Sequence, residues 1–235
     1  MNNGNGRKSR ATAVAFDTKP GLEIFTWMKD MVDGGLAAVN NDEGSSNFDN
    51  LLGIGADNHA MTIDSSASLG TVTQVLSGGG YPNVEIGVAP IPGPVGKGGV
   101  LVGGASLYIA NKSAPAKQAA AWEYMKFLTD SETQAEWAAG TGYVPIRKSS
   151  VELPVITELW ASQPEYKVAY DQLITGTNNV ATAGPVIGDY KGVRDEVRTA
   201  EQSMFTQGVS PKAALKAAKA KANAAMKEYN SRIGG

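Results

Sequence analysis

The sequence predicts an α/β chain of composite build, and three observations predict it. Before residue 110 the chain is glycine-rich and carries short runs of strand character; from Ser113 onward apolar residues recur at helical spacing almost without a break. Gly103 and Gly104 stand together inside the last strand-like run, where a backbone without side chains lets a ligand approach main-chain N–H groups that any Cβ would shield. At 235 residues and 42% hydrophobic content, the chain has material for one or two cores.

The elements follow in order. Lys19-Pro20-Gly21 precedes Leu22, Ile24, Phe25, Met28, Met31 and Val32, a helical spacing with proline near the first turn and Gly34-Gly35 as the stop. Phe48–Ile54 is a second, short helix. Ala60–Ile63 reads as a short buried strand, and Asp64-Ser65-Ser66 supplies N-cap residues for a helix through Leu76. Ser77-Gly78-Gly79-Gly80-Tyr81-Pro82 breaks that helix; Val84, Ile86 and Val88 alternate as a strand that ends in the rigid Pro90–Pro94. Gly98–Ile109 reads as a strand or strand pair. Helices then cover 114–129, 131–139 behind a Ser131/Gln134 capping box, 151–161, 164–174 and 191–206. The last runs from Ser210-Pro211 to about Ser231; its alanines give high helix propensity, and with few bulky apolar residues it is expected to pack lightly on the rest. No internal repeat is visible.

Composition and motifs exclude several functions. A net charge of −2 gives no electrostatic reason to expect a nucleic acid or an anionic membrane as partner. Without cysteine there is no disulfide, thiol catalysis or thiolate metal site. No run of about eighteen uncharged apolar residues exists to span a bilayer. The start, Met1 to Arg10, has basic residues but no apolar stretch after them, so no signal peptide is expected in this chain.

His59 is the only histidine, which rules out a multi-histidine metal site. Gly93-Pro94-Val95-Gly96-Lys97-Gly98 has the wrong spacing for a P-loop and no Ser or Thr after the lysine. Gly53-Ile54-Gly55 lacks a third glycine at Asn58 and a preceding strand. Asp57, Asp64 and Glu85 offer carboxylates, but nothing fixes a pair at catalytic separation. No metal, cofactor or catalytic residue is therefore assigned. Trp27, Trp122, Trp137 and Trp160 could stack on sugars, yet at helical spacing they read as core, with Trp160 the candidate to test.

One constellation remains. The stretch Gly103-Gly104-Ala105-Ser106-Leu107-Tyr108-Ile109 leads through the helical run 114–128, with Trp122 and Phe127, to Thr141-Gly142-Tyr143-Val144-Pro145. It pairs an open backbone with an aromatic ring held at the surface by a proline-stopped turn; taken singly, each motif also reads as a glycine-rich hairpin and a packed turn tyrosine. The arrangement resembles the C-terminal part of the family 1 extracellular solute-binding proteins of bacterial ABC importers, and within them the members that bind glycerol phosphates.

That resemblance implies a periplasmic-binding-protein-like two-lobe fold of type II with a helix-rich C-terminal portion. The likeness starts at about Asn2, so the chain is expected to be incomplete at the N-terminus. One lobe would take 1–60 and 109–235, and the other 61–108. The resemblance further implies a periplasmic or otherwise extracytoplasmic receptor, not an enzyme. It would need no cofactor and would bind sn-glycerol 3-phosphate or a related glycerophosphodiester in a cleft between lobes before docking on ABC permease subunits. A sugar or oligosaccharide receptor of the same family is the alternative, and a glycan-processing enzyme the alternative from another class.

Four positions carry the ligand. Ser65 starts a helix, so its hydroxyl and the N–H groups after it can face an anion, or it is a plain N-cap; by resemblance, Ser65-Ser66-Ala67-Ser68-Leu69 places it at a ligand-contacting serine. Gly104 matches a glycine whose backbone meets ligand. Tyr143 matches a ligand tyrosine within Thr141–Ile146, against a packing role. Arg194, aligned through Gly188, matches a ligand arginine whose fork suits phosphate. The chain departs from the pattern at Val186, where glycerol-phosphate binders carry another arginine; Arg198, one helical turn beyond Arg194, compensates or belongs to a solvated face.

Overall fold

The computed structural model describes residues 1–39, 49–55, 59–93 and 99–234. The predicted Phe48, Asp57, Asn58 and 94–98 positions lie outside them. Two compact units divide the chain: Met1–Glu43 with Asn178–Gly235, and Gly44–Thr177. These cuts differ from the lobe boundaries at 60/61 and 108/109 that the resemblance implies.

The first unit is built on three helices. A single left-handed turn, α1 (Asn2–Asn5), leads to an extended stretch and then α2 (Lys19–Asp33), with proline in its first turn. Near the other end of the chain, α9 (Tyr190–Gln207) is capped by the Asp189 carboxylate, which accepts from Gly192 N at 3.0 Å, and closes on left-handed Gly208. The last helix, α10 (Pro211–Arg232), has Ser210 as cap and proline at its start, as the sequence predicts.

The expected light packing of α10 is not what the structure shows. Ala214, Leu215, Ala218, Ala222 and Met226 form a buried stripe. The alanines are what make this possible: with a methyl in place of a bulky chain, α9 and α2 come close enough to enclose Phe25, Met204 and Leu215. A second cluster joins Val193, Ala222 and Met226 to Ala11 and Val14 of the extended stretch. Two amides of α10 hold that stretch: Asn223 Oδ1 accepts from Val14 N at 2.8 Å, and Asn230 Nδ2 donates to the Ala11 carbonyl at 3.0 Å. Lys219 adds an ion pair with Asp17 at 2.8 Å.

The second unit contains α3 (Asp49–Gly55), a 3₁₀ turn at Ser66–Ser68 continuing into α4 (Leu69–Ser77), α5 (Pro115–Leu128), α6 (Ser131–Thr141), α7 (Pro154–Ser162) and α8 (Val168–Thr175). Further 3₁₀ turns at Lys148–Glu152 and Pro164–Lys167 begin the regions predicted as continuous helices. Ala135, Ala138 and Ile156 form the core between α6 and α7. The cap of α6 is Asp130, accepting from Thr133 N at 2.7 Å, rather than Ser131, whose hydroxyl pairs with Ser149 Oγ at 2.6 Å. A carboxylate on the N-terminal dipole is the stronger acceptor.

The predicted strands are corrected. Among the described residues no strand is assigned; 61–64, 84–93 and 99–110 run extended without a ladder partner. Alternation is a local property of sequence, whereas a strand exists only through its neighbour. Three of the four tryptophans read as core are also exposed: Trp27, Trp122 and Trp137.

Candidate functional site

Ser65 and Tyr143 belong to the second unit, and local packing brings their segments together. Tyr143 follows α6 through Gly142, which is left-handed at φ 89° and donates to the Ala138 carbonyl at 2.8 Å. A Cβ on Gly142 would stand 2.3 Å from the Ser66 carbonyl oxygen. Only glycine allows the Tyr143 turn to lie against the turn that begins with Ser65, a requirement no local pattern disclosed. The same face is tied further along by Thr73 Oγ1 and the Tyr166 hydroxyl, 2.8 Å apart.

The chemistry of the Ser65 turn is largely committed. Ser65 is exposed, and its Oγ accepts from Ala67 N at 3.2 Å, the plain capping bond; its own N–H donates to Asp64 Oδ1 at 2.5 Å. Asp64 is itself held by Ser68 Oγ at 3.1 Å and by Asn50 Nδ2 at 2.8 Å. The first main-chain donor of this turn therefore serves a carboxylate of the protein. What the residue can offer a solute is the hydroxyl proton, a donor suited to a hydroxyl or to a phosphate oxygen.

Tyr143 is 44% exposed, with its ring 6.4 Å from that of Trp137. Behind it lies a cavity of about 10 Å³, shared with Trp160, Tyr166 and Tyr170, which has room for one water and no solute. The accessible aromatic surface is thus the outer face of Tyr143, continued by Trp137. Trp160 is not available in this way: its ring packs 5.0 Å from Tyr170, with Lys167 Nζ 5.9 Å from the ring centre. Gly104 lies in the extended 99–110 segment at φ 151°, with nothing within 4 Å of where a side chain would stand, so its main chain is open to approach.

Arg194 lies in the first unit, on the exposed side of α9. Around it the electrostatics are distinctive: Asp195 is held below the ordinary carboxylate range, first by its hydrogen bond to Lys191 at 2.5 Å and also by the charges of Arg198 and Arg194. Three cations thus gather on the first turns of this helix around one acid. Elsewhere in this unit the structure gives a further cation a long-range role that the sequence did not disclose. Arg7, 177 residues away from Gly184, donates to the Gly184 carbonyl at 2.6 Å and to Ala183 at 2.9 Å, two to three residues from Val186. Nothing in the local sequence signals that approach.

The main-chain N–H of His59 donates to the Gly53 carbonyl at 3.0 Å. Among the described residues no group of three His, Asp or Glu side chains could hold a metal ion, and no helix is long and apolar enough to cross a membrane.

Residues 8–168 match the model of a family described as bacterial extracellular solute-binding protein. The chain belongs to this family. Relatives include the sn-glycerol-3-phosphate-binding periplasmic protein UgpB of Pectobacterium atrosepticum, 28% identical over 174 residues, and that of Salmonella typhimurium, 26% identical over the same length. In each case the match takes 72% of this chain and 38% of the relative, so the chain spans well under half the length of these relatives. Among solved structures, UgpB from Mycobacterium tuberculosis in complex with glycerophosphocholine superposes with a TM-score of 0.72 at 21% identity, over 97% of this chain and 55% of that one. That likeness is one of fold, and it makes the fold that of part of a periplasmic binding protein.

Proposed function

We propose that this chain is part of the substrate-binding component of an ABC importer that takes sn-glycerol 3-phosphate or a related glycerophosphodiester. The observation that carries the reading is the family match together with relatives named for that ligand over 72% of the chain. In this reading Ser65 donates its hydroxyl proton, Gly104 offers open main chain, Tyr143 lays its outer face on the glycerol carbons and Arg194 grips the phosphate. Residues 1–60 and 109–235 form one lobe and 61–108 the other, with the ligand in the cleft between lobes. Binding biases an open/closed equilibrium because the ligand contacts both lobes, and the closed form is what extracytoplasmic permease subunits receive. No step of chemistry is performed on the ligand. Arg7 supports the phosphate assignment by placing a cation beside Val186, where the resemblance leaves an arginine missing.

The test is calorimetry on a fusion of this chain with the part of the Pectobacterium relative that it does not match. Glycerol 3-phosphate, glycerophosphocholine and maltose are titrated, with a chromogenic glycoside to detect turnover. Binding of the phosphates without hydrolysis is expected. Binding of maltose alone would move the assignment to the sugar receptors, and turnover would replace it with the enzyme.

Two variants probe the contacts in that fusion. Tyr143→Ala is expected to weaken binding while the melting temperature moves little, because nearly half of the ring faces solvent; a large loss of stability with affinity unchanged would make Tyr143 a packing residue. Arg194→Lys keeps the charge and loses the fork. Glycerol 3-phosphate affinity should fall at least about tenfold, near 1.4 kcal/mol, and the unsubstituted protein should bind more weakly as salt rises. A silent Arg194→Lys with salt-independent binding would remove phosphate recognition from this residue.

A further inference from the structure

Tyr166 touches the supports of both solute-facing side chains of the second unit. Its ring stands with Val144 and Pro145 around the small cavity behind Tyr143, and its hydroxyl lies 2.8 Å from Thr73 Oγ1 on α4, the helix whose leading turn Ser65 caps. The direction of that bond follows from counting protons. Thr73 Oγ1 is 3.0 Å from the Leu69 carbonyl and 3.0 Å from the Gly70 carbonyl, the back-bond of a helical threonine. A threonine hydroxyl has one proton, and the back-bond uses it; what remains is the capacity to accept. Tyr166 is therefore the donor. The pair is partly buried, where leaving either group unpaired costs more than it would in water.

The contacts of α4 with α6 are of another kind. A Cβ on Gly70 would stand 2.7 Å from the Gly140 carbonyl oxygen and 3.0 Å from Thr141 Cα, so the first turn of α4 lies main chain to main chain on the last turn of α6. Gly142 makes the matching approach to Ser66. Such contacts are van der Waals contacts; they set the distance between the two helices and have little preference for how α4 is turned about its axis. A hydrogen bond has a preferred direction. The Tyr166 bond, one turn beyond Gly70, supplies it.

We propose that Tyr166 is a positioning residue of the solute site, a role that rests on the reading of Ser65 and Tyr143 as solute contacts. Its hydroxyl fixes the rotation of α4 and with it the place of the Ser65 hydroxyl, while its ring backs the turn that carries Tyr143. One side chain thus keeps the two contacts in register. Tyr166 does not touch the solute; it acts through Ser65.

The experiment titrates glycerol 3-phosphate into the fusion carrying Tyr166→Phe, which keeps the ring and removes the donor. Affinity is expected to fall about fivefold, the scale of one partly buried hydrogen bond. Thr73→Val should do the same, and Thr73→Ser, which keeps the acceptor, should bind as the unsubstituted fusion does. The deciding comparison is a double-mutant cycle: in a Ser65→Ala background Tyr166→Phe should have no further effect, whereas in a Tyr143→Ala background its loss of about fivefold should persist. An equal loss in the Ser65→Ala background would overturn the proposal, and so would unchanged affinity in Tyr166→Phe. A second arm needs no solute. In this chain, Tyr166→Phe should speed amide exchange in α4 at least about fivefold and leave α9 and α10 unchanged. A fusion that binds neither glycerol phosphates nor maltose would defeat the receptor reading itself; the exchange arm then decides the positioning role alone, and unaltered exchange in α4 would overturn it.

Discussion

Met204→Ala is expected to lower the stability of the α2–α9–α10 unit by about 2–5 kcal/mol, the range for deleting a fully buried methionine side chain. Met204 has no solvent exposure and sits among Phe25, Ala200, Ala214, Leu215 and Ala218. Three of these neighbours are alanines, which have no side chain able to swing into the space left behind, so the cavity should stay open and the cost should fall in the upper part of the range. Trp27 on α2 reports on this unit, and urea unfolding followed by its fluorescence gives the measurement. Ile24→Ala, on the exposed side of the same helix, serves as the control and should change stability by no more than about 0.5 kcal/mol. Equal effects of the two substitutions would show that the three-helix packing does not hold this unit together.

Gly142→Ala should be nearly as costly, and it should reach the site. The left-handed backbone at φ 89° penalises any Cβ by about 1–2 kcal/mol. That Cβ also meets the Ser66 carbonyl at 2.3 Å and Leu69 Cβ at 3.0 Å, so one of the two turns has to move. Together the loss is about 2–4 kcal/mol, by the scale of local backbone strain. Gly140→Ala, two residues earlier and inside α6, meets nothing within 4 Å and should be neutral or stabilise by up to about 1 kcal/mol. Thermal unfolding of the pair distinguishes the effects. In the fusion, Gly142→Ala should also weaken solute binding, because it separates the Ser65 and Tyr143 turns; unchanged stability in Gly142→Ala would mean that the two turns are not in contact.

The helices were legible in the sequence for a physical reason. Each is a local structure whose bonds join residues four apart and whose ends are written in caps, prolines and glycines, so Lys19-Pro20, Gly34-Gly35 and Ser210-Pro211 announced theirs. The family was legible too, because motifs such as Thr141–Pro145 are contiguous. Where the reading failed, two distant parts of the chain had to meet. The choice of Asp130 over Ser131 as a cap depended on Ser149 lying within reach of the serine hydroxyl. The alanine-rich α10 turned out to be the spine of a unit because α9 and α2 come close to it, a fact held in no window of its own sequence.

The sequence by itself determined where most of the helices form and which family the chain resembles, and the resemblance is what assigns Ser65, Gly104, Tyr143 and Arg194 to the ligand. Tertiary structure alone decided that Gly142 must be glycine so that the Ser65 and Tyr143 turns can touch, and that Arg7 reaches the carbonyls beside Val186 across 177 residues. It also decided that the segments at 61–64, 84–91 and 99–110, read from the sequence as strands, have no ladder partner among the described residues. The physical reason is the same in each case: a turn, a cap or a helical stripe is specified by neighbours in sequence, whereas close approach, burial and strand pairing are specified by neighbours in space.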